Sequence, residues 1–133
     1  MTENTQRVVV VTGGSRGIGR SICKALAAPD TRIFFNYYSP ANPEAEKAAA
    51  AETIALVGQS GCEAVGIWAN VAVPAEVTAF FDQVVDAAGR IDVLVNNAGI
   101  TRDALLARMK EADWDAVLNV NLKGPFLCSQ VVT

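Results

Sequence analysis

The chain has 133 residues and a mass of 14.0 kDa, which bounds it to one domain at most. Apolar residues make up 51% and charged residues 19%, enough side chain to bury a core and too much for a disordered chain. Eleven Lys and Arg stand against 14 Asp and Glu, a net charge of −3 with no basic run, which argues against a nucleic-acid partner.

Two features of composition exclude more. The chain has no histidine, so Ser-His-Asp and Cys-His nucleophile systems and the usual zinc and non-haem iron sites fall away. The three cysteines, Cys23, Cys62 and Cys128, are far apart and form no CxxC, so neither a disulfide framework nor a metal knuckle is expected. Each reads as a small buried apolar residue in a reducing compartment. The longest apolar stretches are far short of a bilayer span, and no membrane partner is expected. Met1 to Arg7 is polar and lacks the apolar core of a signal peptide, so a cytoplasmic location is expected.

Strand and helix signals alternate along the chain. Arg7 to Val11 holds four consecutive valines, the pattern of a strand buried on both faces. Ile18 to Ala28 reads as a helix with Ile22, Ala25 and Leu26 on one stripe, closed by Pro29-Asp30-Thr31. Arg32 to Tyr37 is a second strand. Asn42 is a good N-cap for the next helix, Pro43 suits its first position, and Glu44 and Glu46 favour its positive end. That helix runs to Val57, with Gly58 and Gly61 marking its exit. Ala64 to Trp68 is a third strand. Pro74 to Ala88 is a third helix with a weak N-cap, Val77, Phe80, Phe81, Val84 and Val85 on its buried side, and Gly89 as its stop. Ile91 to Val95 is a fourth strand, ending in Asn96-Asn97-Ala98-Gly99. A helix from about Glu111 to Leu122, then Gly124-Pro125 and the apolar start of another helix complete the chain. Trp114 reads as a core anchor and Trp68 as strand packing. Glu111, Asp113 and Asp115 read as a solvated helix face. This β-α-β-α-β-α-β order predicts an α/β fold, a doubly wound parallel sheet with helices on both faces and a ligand at the carboxyl ends of the strands.

The strongest local signal is Thr12-Gly13-Gly14-Ser15-Arg16-Gly17-Ile18-Gly19, which leaves a buried strand and opens a helix. Glycines there permit a tight turn, close approach of a pyrophosphate and close packing of helix on sheet. The free N–H groups and positive end of the helix then face the phosphates. The alternative is a tight turn without a ligand. Arg16 can pair with a phosphate, or be an ordinary solvated arginine. An acid at the end of the second strand would hold a ribose 2′-hydroxyl, as in NAD sites. Here the end reads Asn36-Tyr37-Tyr38-Ser39, with no acid until Glu44, which favours NADP over NAD.

These residues, with Asn96 to Gly99, Gly89 to Val95 and Asn119-Val120-Asn121-Leu122, resemble the short-chain dehydrogenase/reductase family over essentially the whole chain. Ile100-Thr101-Arg102-Asp103 and Trp114 are most similar to 3-oxoacyl-acyl-carrier-protein reductases and to the closely similar acetoacetyl-CoA reductases. Reductases of sugars, quinones and steroids share much of the same text. The resemblance implies a Rossmann-type domain over 1–133. It also implies reduction of a 3-ketoacyl thioester by NADPH in fatty acid biosynthesis, and homo-oligomers, tetramers in the full-length family. Gly13, Ser15, Arg16, Gly17, Ile18 and Gly19 would hold the pyrophosphate and the adenosine ribose phosphate, with Tyr37, Tyr38 and Ser39 near the 2′-phosphate. Asn70-Val71 stands where the family usually has Asp-Val, which meets the adenine amino group. Asn97, Ala98 and Gly99 would line the adenosine ribose side. Asn121 matches the catalytic asparagine that holds a water in the family's proton relay; without the resemblance it reads as a helix-kink residue. Arg102, Arg108 and Lys110 could meet an acidic carrier protein or a CoA phosphate, or be scattered surface cations.

The family's Tyr-x-x-x-Lys, which protonates the carbonyl oxygen, is not found here: the tyrosines are Tyr37 and Tyr38, and neither has a lysine four residues on. The expectation is therefore an incomplete domain, truncated after the fourth strand and the start of the following helices, which carries the cofactor half of a longer enzyme and is inactive alone. The reading from another class is a nucleotide-binding module without catalysis. An unrelated flavodoxin-like regulator is disfavoured by Asn96 to Gly99.

Overall fold

The four valines Val8, Val9, Val10 and Val11 are each 0% exposed, because β1 (Arg7–Thr12) has neighbours on both sides and helices on both faces. Successive side chains of a strand point to opposite faces. Val8 and Val10 therefore join one core and Val9 and Val11 another. The computed structural model describes residues 6–133. The polar N-terminal segment, expected to carry no signal-peptide core, lies outside the described residues as far as residue 5.

The sheet has four parallel strands in the order β3-β2-β1-β4: β2 is Thr31–Tyr37, β3 Glu63–Trp68 and β4 Val93–Val95. Val9 pairs with Ile33 and with Val93 across the sheet. The helices are α1 (Gly17–Leu26), α2 (Pro43–Gly58), α3 (Pro74–Ala88), α4 (Glu111–Leu118) and α5 (Gly124–Val132). On one face Val9, Val11, Ile33 and Phe35 pack with Cys23 of α1 and Ala50 and Val57 of α2. On the other, Val8, Val10 and Phe34 pack with Phe80, Phe81 and Val84 of α3 and Cys128 of α5. Each of these phenylalanines contributes about 1.5–3 kcal/mol by leaving water.

All three cysteines are buried and free, as expected. Gly89 ends α3 in the left-handed conformation, φ +76, and its N–H bonds to the carbonyl of Val85. Val73, at the α3 N-cap, makes no side-chain cap. Asn70 and Glu76 order this entrance instead: the Asn70 Oδ1 accepts from the Ala72 N–H at 2.9 Å, and Glu76 accepts from the Asn70 N–H at 2.9 Å.

Five expectations are corrected. Val85 is 48% exposed, because it lies about 40° past Phe81, beyond the buried stripe of α3. Ala25 is exposed, and Cys23 takes the buried place on α1 beside the half-buried Ile22 and Leu26. Asn42 occupies the N-cap of α2 but its side chain makes no capping bond. Trp114 is 55% exposed rather than a core anchor, since α4 has no fully buried residue. The helix expected to stop near Leu122 runs on through a π turn, Asn119–Lys123, into α5. Pro125 has no N–H to give the carbonyl of Asn121, and the turn widens so that the Gly124 N–H bonds to Asn119. A short 3₁₀ turn, Leu106–Arg108, was not expected. Trp68 does pack, with its ring 5.7 Å from that of Tyr37 and 5.2 Å from that of Tyr38.

Candidate functional site

The turn after β1 is shaped by backbone contact. A Cβ on Gly19 would stand 1.9 Å from the Gly13 carbonyl oxygen, so no other residue fits there. Gly13 has φ +71, and a Cβ there would meet the Cα of Ala98 at 3.0 Å. The turn and the first helical turn thus lie directly against the Asn96 to Gly99 segment.

Side chains from distant elements lock this arrangement. The buried Asn36 at the end of β2 accepts from the Gly13 N–H at 2.8 Å and donates to the Ala69 carbonyl at 2.8 Å. Asn97 Nδ2 donates to the Gly13 carbonyl at 3.1 Å. Thr12 Oγ1 accepts from the N–H groups of Asn97 at 2.9 Å and Ala98 at 3.0 Å. Behind the turn, Thr53 of α2 lies within 3.0 Å of the Gly14 and Ser15 carbonyls, and Arg20 Nη2 donates to the Ser15 carbonyl at 2.7 Å. The loop's carbonyls are drawn toward α2. The N–H groups of Gly17, Ile18 and Gly19 begin α1 and have no acceptor within the helix. A helix start of this kind suits an anion.

A cavity of about 490 Å³ opens in front of this turn, at the carboxyl ends of the strands. Gly13, Ser15, Arg16, Ile18 and Gly19 line it from the turn; Tyr37, Tyr38 and Ser39 from the end of β2; Asn70 and Val71 after β3; and Asn97, Ala98 and Gly99 after β4. Of the residues expected at a cofactor, only Gly17 is outside this lining. It opens α1 with φ +56.

The cavity also holds a carboxylate. The end of β2 is free of acids, but Glu46 reaches in from α2 and is 6% exposed. It accepts from the Ser15 hydroxyl and from Arg16 Nη2 at 2.5 Å. Glu46 therefore serves this contact, whereas Glu44 stays in solvent, 3.8 Å from Lys47. Arg16 lines the cavity, with its guanidinium on the Glu46 carboxylate.

Asn121 lies in the π turn, outside the large cavity, and borders a second one of about 300 Å³ with Ile100, Trp114 and Val117. Its side chain makes a pair of bonds to one residue, accepting from the Ile100 N–H at 2.8 Å and donating to the Ile100 carbonyl at 2.9 Å. Ile100 lines both cavities, so Asn121 fixes the wall they share. Of the three cations proposed for a partner, Arg102 lies 3.8 Å from Asp113, and all three are exposed.

The model of the short chain dehydrogenase family matches residues 7–133. The chain belongs to the short-chain dehydrogenase family. It is 48% identical over all of its 133 residues to the 3-oxoacyl-[acyl-carrier-protein] reductase of Synechocystis sp., covering 51% of that protein. It is also 48% identical over 124 residues, 93% of its length, to the enzyme of the same name from Staphylococcus aureus, covering 48% of it. The chain thus spans about half the length of these relatives. Among solved structures, a short chain dehydrogenase from Burkholderia cenocepacia in complex with NADP matches with TM-score 0.84 and 37% identity, over 98% of this chain and 51% of that one. A blue fluorescent protein from a metagenomic library, in complex with NADPH, matches with TM-score 0.84 and 36% identity over 98% of this chain and 51% of that one. For this short-chain dehydrogenase, the expected doubly wound parallel sheet is the one observed.

Sequence reasoning quoted Thr12 and Asn36 within motifs without giving either a role, and missed Glu46 and Thr53 as parts of the site. A polar residue ending a strand of otherwise apolar text was the available signal for Thr12 and Asn36. Nothing in the local text marks Glu46 or Thr53.

Proposed function

We propose that this chain forms the NADP-binding half of an NADPH-dependent reductase that converts a 3-ketoacyl thioester, carried on acyl carrier protein, to the 3-hydroxyacyl thioester. The observation that carries this reading is 48% identity across the whole chain to a 3-oxoacyl-[acyl-carrier-protein] reductase, joined to a cavity whose walls suit a dinucleotide. The fit rests on the chain's own geometry. Gly19 and Gly13 let the turn pack tightly on itself and on Ala98, which sets the wall a pyrophosphate would meet, and the start of α1 offers N–H groups to it. Tyr37, Tyr38 and Ser39 form the wall suited to a 2′-phosphate, and Arg16 lines the same cavity.

The cofactor, when bound, supplies the hydride. The chain's residues bind and orient. Thr12 and Asn36 hold the two loops in register, so that the Gly13 and Asn97 to Gly99 walls keep a fixed separation. Asn121, clamped on Ile100, fixes the wall toward the second cavity, and its place in a π turn fits a role in holding a water there. Tyr37 and Tyr38 line the cavity from the end of β2, packed on Trp68, and this scheme gives them a binding role only. A cytoplasmic enzyme that assembles as a homo-oligomer completes the proposal. Exposed Phe126, Val131 and Val132 on α5 suit such an assembly. Among the described residues no helix is long and apolar enough to cross a membrane.

The test is turnover by the full natural polypeptide. Loss of NADPH absorbance on adding a 3-ketoacyl thioester, with the 3-hydroxyacyl thioester as product, is the expected result. Cofactor binding with no turnover on any 3-ketoacyl thioester would leave the nucleotide-binding module in its place.

A further inference from the structure

Among the described residues that line the large cavity, Glu46 is the one acid and Arg16 the one base. We propose that Glu46 sets how sharply the site distinguishes NADPH from NADH, by holding part of the charge of Arg16. This inference rests on the reading of the cavity as an NADP site.

The two partners are unlike in their freedom. The Glu46 side chain is 8% exposed and that of Arg16 is 60% exposed. Both oxygens of Glu46 are engaged, Oε2 by the buried Ser15 hydroxyl and Oε1 by Arg16 Nη2. The carboxylate is therefore the fixed member and the guanidinium the movable one. A 2′-phosphate arriving at this end of the cavity meets a paired arginine. If Arg16 stays on Glu46, the phosphate gains a partly neutralised cation. If Arg16 turns to the phosphate, Glu46 stays buried with only a hydroxyl for company, and a buried charge without its ion partner is costly. Both routes weaken phosphate recognition relative to a bare arginine. NADH carries no 2′-phosphate and is indifferent to the pairing. Ser15 makes Glu46 more than a surface ion pair, because it keeps the carboxylate in place when Arg16 moves.

The test measures dissociation constants for NADPH and NADH by fluorescence titration on the full natural polypeptide, with Glu46→Gln, Glu46→Asp, Arg16→Ala and the Glu46→Gln/Arg16→Ala double variant. The ratio of the two constants cancels any loss of folded protein, which lowers both alike. Glu46→Gln is expected to shift the ratio toward NADPH by about threefold or more, the scale of one partly exposed ion pair. Glu46→Asp keeps the charge and is expected to stay within about twofold of the native ratio. In the Arg16→Ala background, Glu46→Gln is expected to leave the ratio unchanged. An unchanged ratio for Glu46→Gln, a shift toward NADH, or a gain that survives without Arg16 would overturn the inference while leaving the NADP site intact. Binding of neither nucleotide by the native protein would overturn the NADP site itself, and this inference with it.

Discussion

Thr12→Val tests whether the two loops of the site are held by one hydroxyl. Valine has nearly the shape of threonine and favours a strand, so the variant removes the oxygen and little else. Thr12 is 2% exposed, and its oxygen accepts from Asn97 N–H at 2.9 Å and Ala98 N–H at 3.0 Å. Its own reach to the Val95 carbonyl, at 3.5 Å, is marginal and contributes little. Two donors thus lose their acceptor in a part-buried place. A buried donor left without a partner costs about 1–3 kcal/mol, so two should cost about 2–6 kcal/mol, toward the lower figure because the place is only part-buried. That is a large share of the ~5–15 kcal/mol that usually holds a domain together. In urea, with a slope of about 1–3 kcal/mol per molar, the midpoint should fall by about 1 M or more. Thr12→Ser keeps the oxygen and should lie between the native protein and Thr12→Val. Cofactor affinity should fall with the midpoint in Thr12→Val, because Asn97 to Gly99 form a wall of the cavity. If Thr12→Val unfolds within about 0.5 kcal/mol of native, the usual range for a neutral surface change, the hydroxyl is not the tie described here.

Other substitutions probe other links. Gly19→Ala places a carbon 1.9 Å from the Gly13 oxygen and should abolish NADPH binding, read by titration, even where soluble protein is recovered. Asn121→Ala releases Ile100 and should lower turnover by about 10²-fold or more while NADPH affinity changes little, as a split between kcat and the dissociation constant would reveal. Burial pushes the thiol of Cys23 up to about 12 and that of Cys128 up to about 11, so both stay protonated at pH 8. Mass spectrometry should then find them unmodified by iodoacetamide in the folded protein and modified in urea. Asp92 is held below the ordinary carboxylate value of 3.8 by its bond from Arg90, and further by the Val8 N–H. A carboxyl lowered on folding stabilises above its unfolded value and loses that contribution as pH falls through the folded one. Acid unfolding below about pH 4 should therefore be shallower in Asp92→Asn than in the native protein.

The parts of the fold that were legible in the sequence are those written in local text. Four adjacent valines announced a strand buried on both faces, and Gly89 announced the end of α3. The glycine turn and Asn96 to Gly99 gave the cavity's two walls, and the aromatic end of β2 its third. The errors have physical sources. Val85 lies one step beyond a stripe whose width periodicity alone does not set. Trp114 is large and apolar, yet α4 has no fully buried residue, and its half-buried positions are Asp113, Ala116 and Val117. Gly124-Pro125 looked like a break, but a π turn accommodates the missing proline N–H without ending the helix. The ties among Thr12, Gly13, Asn36, Asn97 and Ala98 join residues 23 to 86 positions apart, and such juxtaposition exists only once the sheet has formed. Glu46 belongs to the same class. By sequence it was a helix-start acid, and by structure it is the partner of Arg16.

The most direct test of the NADP site is a crystal structure of the full natural polypeptide with NADPH. The pyrophosphate should lie on the N–H groups at the start of α1, against Gly13 and Gly19. The 2′-phosphate should lie between Arg16 and the Tyr37 to Ser39 end of the cavity, with Asn97 to Gly99 along the adenosine ribose. A dinucleotide bound with its 2′-phosphate turned away from Arg16, or its pyrophosphate away from the glycine turn, would contradict the account.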